Sequence, residues 1–476
     1  MLRLQAPVER VDPERAARAA LALSRALGDS KVDATREGRR AFSRDESEAR
    51  GELPDVVVHA TSADDVATAL RVASLHEVPV TPRAGGTGRT GGAVPVAGGV
   101  VLATHGMRGI VEIDRDDLVA VVEPGVVLEE LWAAVEREGL FYGPDPNSSA
   151  SCCLGGNIAE NAGGPRAFKY GVTRDWVLGL DVVTVDGARL TTGRRTAKGV
   201  TGYDLTALLV GSEGTLAVTT RATLRLVRRP PEVSTLLALF EDVHAAGRAV
   251  LAVLRSGAVP RCVELLDRQT LDAVRGAGNP IDARAGAMLL LEADGDAQHV
   301  EREQERIGGA AADAGALDVL VAQDPAKRER LWAARRQMSP AVRRLARHKL
   351  SEDVVVPRSR VPRLLDEVDR LRELHGVGML TYGHAGDGNL HTNFLWDTDD
   401  EVPRVEAAIL GLFRAVVALG GTLSGEHGVG VLKAPYLGLE QAQPLIDAQL
   451  RVKRAFDPRG LLNPGKIFWP ASHRAC

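Results

Sequence analysis

The sequence predicts an α+β protein of more than one domain, on three observations. Its 476 residues suffice for two or three units, each with a real core. A β-α-β pattern at residues 55–81 runs into a glycine-rich loop without the helix that a doubly wound fold would place there. Composition then shifts at Arg228-Arg-Pro-Pro231, which marks a boundary between a glycine-rich half and a half of alternating strands and helices.

Taken in order, residues 1–50 read as an amphipathic helix around Pro13 and a polar linker, without visible chemistry. Strand Asp55 to His59, a helix opened by Ser62, and strand Val78 to Thr81 form the β-α-β start. Next comes Arg83-Ala-Gly-Gly-Thr-Gly-Arg-Thr-Gly-Gly92, which contains GxGxxG at Gly86, Gly88 and Gly91. In a dinucleotide fold the last glycine opens a helix whose N-terminus holds the pyrophosphate. Pro95, Gly98 and Gly99 forbid that helix here, and an extended run follows. Successive backbone N–H groups still cradle a pyrophosphate without a helix. The loop therefore reads as a phosphate loop in a setting that is not Rossmann.

A second cluster of Gly, Asn and Pro spans Tyr142 to Arg174. At that density no packed element is expected, and a long irregular stretch inside a domain lines a ligand. Residues 205–220 complete the first half. Beyond the boundary, strands and helices alternate to about residue 400, and a helical stretch follows from Asp399.

Two glycine-dense turns near the end carry the chemistry: Tyr382-Gly-His-Ala-Gly-Asp-Gly-Asn-Leu-His391-Thr-Asn393 and Ser424-Gly-Glu426-His427-Gly-Val-Gly430. Glycine-framed histidines are displayed to a site rather than packed in a core. His384, His391 and Glu426 make a divalent-metal set with an open fourth position, and the neighbouring His427 is a spare base. Strand, turn, strand over 379–394 puts His391 and Asn393 on one side of the return strand.

A net charge of −4 with both signs interspersed leaves no basic patch for nucleic acid. The most apolar window, from Thr235 to Leu254, is interrupted by Glu241, Asp242, His244 and Arg248, so no transmembrane segment is expected. With no secretory or transit signal, the expected location is cytoplasmic, with peripheral membrane attachment left open. Four cysteines, Cys152 and Cys153 adjacent, form no disulfide or iron–sulfur framework.

Seven segments in order resemble one family: the 82–92 loop, Gly155-Gly-Asn-Ile-Ala-Glu-Asn-Ala-Gly-Gly164, Val210-Gly-Ser-Glu-Gly-Thr-Leu216, Ser351-Glu-Asp-Val-Val-Val-Pro357, Gly383 to His391, Gly425 to Gly430, and Asn463-Pro-Gly-Lys466. Together they are similar to the flavin-dependent 2-hydroxy acid dehydrogenases of the vanillyl-alcohol-oxidase-type fold, over residues 40–470. The resemblance implies an N-terminal helical segment at 1–50 and a two-subdomain PCMH-type FAD-binding domain at 51–230. An α+β substrate (cap) domain at 231–400 would follow, and a segment at 401–476 would return to complete the metal and FAD sites. Arg83, Ala84, Gly85, Gly86, Thr87, Gly88, Thr90 and Gly91 would wrap the FAD pyrophosphate. Pro144, Gly156, Asn157, Asn161, Gly163, Gly164 and Asn463 would approach the rest of the cofactor.

FAD is expected to be held non-covalently, since the loop has no tethering histidine or cysteine. The same resemblance makes His384, His391 and Glu426 ligands of zinc or manganese and His427 the catalytic base. Arg335 and Ser339, one helical turn apart, would grip the substrate carboxylate, with Lys349 and Asn393 at the remaining polar positions. The implied reaction oxidises a D-2-hydroxy acid (D-lactate, glycolate or D-2-hydroxyglutarate) by hydride transfer to flavin N5. Electrons would leave to an external acceptor, whether electron-transfer flavoprotein, quinone or cytochrome, and a homodimer is left open. The alternative is another reaction on the same fold, such as an alkylglycerone-phosphate synthase-like reaction or an alcohol oxidase.

Overall fold

The computed structural model describes residues 8–468 apart from 197, 280 and 323, so the outermost parts of the 1–50 and 401–476 segments lie outside the described residues. The chain divides into two compact units. Among the described residues, one takes in 8–162, 172–229 and 426–468; the other takes in 163–171 and 230–425.

The first of these units holds two main sheets and a two-stranded ladder, Leu140–Phe141 with Val227–Arg228. In the four-stranded sheet, Val56–His59, Val100–Ala103 and Val80–Arg83 run parallel, and Val32–Asp33 joins antiparallel at one edge. Residues read from the sequence as a polar linker thus supply a strand, with Val32 opposite Val58. Helix Pro13–Leu27, capped by Asp12, and helix Ala63–Leu75, capped by Ser62, pack on this sheet through Leu23, Leu70, Val56, Val58, Val80 and Leu102. The C-terminal chain returns to the same sheet: Val80 N–H donates to Leu461 O at 2.8 Å and Asn463 N–H to Val80 O at 2.7 Å. The second sheet is antiparallel, in the order Ile110–Asp114, Val119–Val122, Val218–Arg225, Val177–Val183, Arg189–Gly193.

The stretch from Tyr142 to Arg174 corrects the expectation that it forms no packed element. Leu154–Glu160 is a helix, ended by Asn161 in the left-handed conformation at φ 57. Leu154 and Ile158, four residues apart, are buried and anchor it. Gly155 is needed for a close approach, since a Cβ there would lie 2.7 Å from Pro124 Cβ.

The other unit is built on a seven-stranded antiparallel sheet in the order Asp318–Val321, Glu232–Phe240, Ala287–Gly295, Cys262–Leu266, Gly378–His384, Asn389–Trp396, His348–Val355. Helices Arg268–Gly276 and Met338–Arg343 cover the face that carries Leu239, Leu266, Leu290, Leu380 and Tyr382. A second correction falls here. Arg335 and Ser339 do not share one helix: Pro325–Arg336 ends before Met338–Arg343 begins. Pro340 explains the break, because it donates no N–H and its ring clashes with the carbonyl four residues back, at Arg336.

Candidate functional site

In the unit with two main sheets, residues 84–99 contain no helix, and Gly86 and Gly91 sit at φ 70 and 86, the positive values that favour glycine. The two glycine-rich segments meet. A Cβ on Gly85 would lie 2.8 Å from Ser151 O and 3.1 Å from Cys153 N, and one on Gly156 would face Ala84 Cβ at 3.9 Å. Ala84, Gly85, Gly86, Thr87 and Gly88 are half-buried, while Pro144 and Asn157 are buried. Arg83 folds back on the loop, donating from Nη1 to Arg44 O at 2.6 Å with its guanidinium 5.4 Å over the Phe42 ring.

Three more of the expected cofactor residues carry internal bonds. Thr90 is buried, and its hydroxyl donates to His427 O at 3.0 Å. Asn161 Oδ1 accepts from Arg174 N–H at 2.8 Å. Asn463 Nδ2 donates to Gly92 O at 3.0 Å and Glu213 O at 2.7 Å, while its buried Oδ1 takes no partner among the described residues. A half-buried, glycine-lined loop and an unsatisfied buried amide oxygen fit a polar nucleotide cofactor. Cys152 and Cys153 are buried free thiols, and burial raises both, Cys153 to about 11. Neutral thiols are poor nucleophiles, which favours a cofactor held without a covalent bond. Gly163 and Gly164 belong to the 163–171 segment of the other unit.

In that other unit the sheet register gathers four of the candidate catalytic and metal residues, His384, His391, Asn393 and Lys349. Directly opposed residues share a face, as do residues two apart on one strand. Glu264 opposes His384, Tyr382 opposes His391, Asp353 opposes His391, and Ser351 opposes Asn393. One face therefore presents Glu264, Tyr382, His384, His391, Asn393, Lys349 and Asp353 together. The rings of His384 and His391 stand 5.2 Å apart at 88°.

Glu264, fully buried, organises this face. Its Oε1 meets His384 Nδ1 at 2.6 Å, and its Oε2 accepts from Arg335 Nε at 2.7 Å and pairs with Nη2 at 2.5 Å. Burial alone would raise Glu264, but the charges of His384 and Arg335 and their hydrogen bonds hold it at about 2. A carboxylate on Nδ1 is the arrangement in which a neutral histidine would present Nε2 to a metal. Asp353 Oδ1 stands 3.8 Å from His391 Nδ1. Two imidazoles, one hydrogen-bonded to a buried carboxylate and the other with a buried carboxylate nearby, are a donor set that would suit zinc or manganese.

The polar positions beside them are also engaged. Lys349 Nζ donates to Ser339 Oγ at 2.9 Å and Tyr382 OH at 3.2 Å. Burial would raise the Tyr382 phenol, yet the Lys349 ammonium and its hydrogen bond hold it below its usual value. Arg335 lies 5.7 Å from the Tyr382 ring centroid, and Asn393 Nδ2 donates to His391 O at 2.9 Å. Gly425 N–H donates to Asp353 Oδ2 at 2.9 Å, and Glu426 and His427 follow directly, as the first residues of the last segment of the other unit.

Glu264, Asp353 and Tyr382 were not legible as site residues. Asp353 and Tyr382 stand inside motifs the sequence shows, and Tyr382 lies two residues before His384, a same-face spacing. Glu264 had no local signal, because its partner is 120 positions away.

Among the described residues, no helix is long and apolar enough to cross a membrane. Residues 54–193 match the family described as FAD binding domain, and residues 229–467 match FAD linked oxidases, C-terminal domain. The chain is 42% identical over 446 residues to the glycolate oxidase subunit GlcD of Bacillus subtilis (strain 168), covering 93% of this chain and 94% of that one. It is 34% identical to a D-lactate dehydrogenase of Anaerostipes hadrus, covering 90% of this chain and 92% of the relative. Among solved structures, p-cresol methylhydroxylase with substrate bound is similar at a TM-score of 0.82 and 17% identity, covering 98% of this chain and 100% of that chain, which shows the fold. The PCMH-type fold, the paired domain matches and the near full-length relatives together place this chain in the FAD-linked oxidase family.

Proposed function

We propose that the protein oxidises a small D-2-hydroxy acid, such as glycolate, D-lactate or D-2-hydroxyglutarate, to the 2-oxo acid, as an FAD-dependent oxidoreductase acting on CH–OH donors. The observation that carries this reading is the single buried carboxylate of Glu264, which orients the imidazole of His384 and the guanidinium of Arg335 at once. A metal-ligand imidazole and a carboxylate-binding cation held by one group suit a substrate that offers an oxygen and a carboxylate on neighbouring carbons.

In this reading Arg335 uses Nε and Nη2 on Glu264 and turns Nη1 to the substrate carboxylate, with Lys349 and Ser339 as further donors. Tyr382 OH donates to Asn393 Oδ1 at 3.4 Å, and the pair walls the face on which the substrate would lie. His384 and His391 supply Nε2 donors, and Glu426 completes the set. The tether at Gly425 supports the assignment, because it fixes the residue immediately before Glu426. His427 takes the hydroxyl proton as general base. A bound zinc or manganese ion would polarise the substrate oxygen and lower its pKa. FAD, held without a covalent bond by Arg83, Ala84, Gly85, Gly86, Thr87, Gly88, Thr90, Gly91, Pro144, Gly156, Asn157, Asn161, Gly163, Gly164 and Asn463, would accept the hydride at N5. Electrons then pass to an external acceptor. Anaerobic mixing of the yellow holoprotein with a panel of 2-hydroxy acids, 4-alkylphenols and primary alcohols tests the substrate class. Bleaching by at least one 2-hydroxy acid and by no phenol is expected, and bleaching by phenols alone would end the proposal.

A further inference from the structure

We infer that Glu213 is a positioning residue for His427, holding the turn that follows it through the backbone amides of Val429 and Gly430. The inference rests on His427 being the base proposed above.

Glu213 Oε1 accepts from Val429 N–H and Oε2 from Gly430 N–H, each at 2.7 Å, so both carboxylate oxygens are spent on adjacent amides. The turn has no regular hydrogen-bond ladder, and Gly428 and Gly430 sit at φ 78 and 54. Its shape is therefore set from outside. The Thr90 hydroxyl grips the His427 carbonyl at 3.0 Å, and Thr90 O takes Val431 N–H at 2.9 Å. His427 is thus bracketed, by its own carbonyl on one side and by the Glu213 carboxylate two and three residues later on the other.

The carboxylate has no slack. A Cβ on Gly428 would lie 3.1 Å from the Glu213 carboxyl carbon and would strike Glu160 Oε2 on the other side. Glu213 is itself buried and strained, at φ 52 between Gly211 and Gly214, and Asn463 Nδ2 fixes its carbonyl at 2.7 Å. Strained buried residues persist where the surroundings over-determine them, and they gather where placement matters. A turn that needed only to close could leave its amides to water. Here a second carboxyl, Glu160, lies alongside, burial pushes both carboxyls up, and the charges of Lys466 and Lys433 offset this for Glu213 only in part. A carboxylate kept in so unfavourable a place points to a demand on geometry rather than on stability.

The test is Glu213→Gln in the FAD- and metal-loaded enzyme. Its amide nitrogen must face one of the two N–H donors, so at least one bond is lost. Because a shift of about 1 Å can cost about a hundredfold, kcat should fall by roughly ten- to a hundredfold with KM within about twofold. Flavin and metal content should be unchanged. Hydrogen exchange of the 426–432 peptide should quicken by about tenfold or more, while peptides of the parallel sheet stay as they were. Glu213→Asp, which keeps the charge but reaches fewer amides, should fall between, and it decides the matter if the Gln variant loses its flavin. Wild-type kcat in the deciding variant, a loss confined to KM, or unchanged exchange overturns the inference. If His427→Ala turns over normally, it is the functional reading that fails; if His427→Ala is inactive while the Glu213 variants match wild type, only the positioning role fails.

Discussion

Replacing Glu264 by Gln should loosen the metal-binding face and the fold together. The side chain is fully buried and faces donors on both oxygens, His384 Nδ1 at 2.6 Å and Arg335 Nε at 2.7 Å. Its carboxyl is held at about 2 against an ordinary 4.5 by these partners, so the native charge stabilises the fold. The variant also leaves the buried Arg335 guanidinium without its counter-charge, a loss of about 3–5 kcal/mol in comparable buried pairs. A carboxylate whose folded value is depressed stabilises above its unfolded value, so the wild-type advantage should be full near pH 7 and fade as pH falls from about 4.5 towards 2. Metal affinity should drop about 10–100-fold, as when a histidine loses its orienting carboxylate. Urea unfolding across pH 3–7 and metal titration of both proteins measure the two effects. A variant within about 1 kcal/mol of wild type at pH 7, with unchanged metal affinity, would refute the role given to Glu264.

Acid precipitation should release all the flavin into the supernatant, because the thiols of Cys152 and Cys153 are buried and raised; colour left in the pellet contradicts non-covalent binding. His384→Ala or His391→Ala should abolish turnover and lose stoichiometric metal while the flavin absorption band persists, since loop and ligands stand on different segments. Full activity after exhaustive chelation would count against the metal. Arg335→Ala should weaken substrate binding, seen as a rise in KM, and an unchanged KM would remove it from the carboxylate site.

Much of this was legible because the informative signals were local. The missing helix after Gly91 followed from Pro95, Gly98 and Gly99, and the 378–396 hairpin followed from alternation around a glycine turn. The helix Leu154–Glu160 was missed because tertiary packing overrode propensity: Gly155 is unfavourable in a free helix, but it lets the helix lie against Pro124. Pro340 was visible, yet its effect falls on the carbonyl four residues earlier, so the break between Arg335 and Ser339 was easy to overlook. Thr90 sits in the glycine loop, but its hydroxyl serves the His427 carbonyl, a contact across 337 positions that no pattern shows. Glu264 and Glu213 are the same case, since each acts through residues distant in sequence.

The most direct measurement is anaerobic single-turnover flavin reduction by a reactive 2-hydroxy acid, run with metal analysis on wild type, His427→Ala and Glu426→Ala. His427→Ala should keep its metal and slow the reductive step by about two to four orders of magnitude, the usual worth of a general base. Glu426→Ala should fail through loss of metal. Wild-type reduction rates in both variants, or metal lost from His427→Ala and kept in Glu426→Ala, would contradict the assignment of ligand and base.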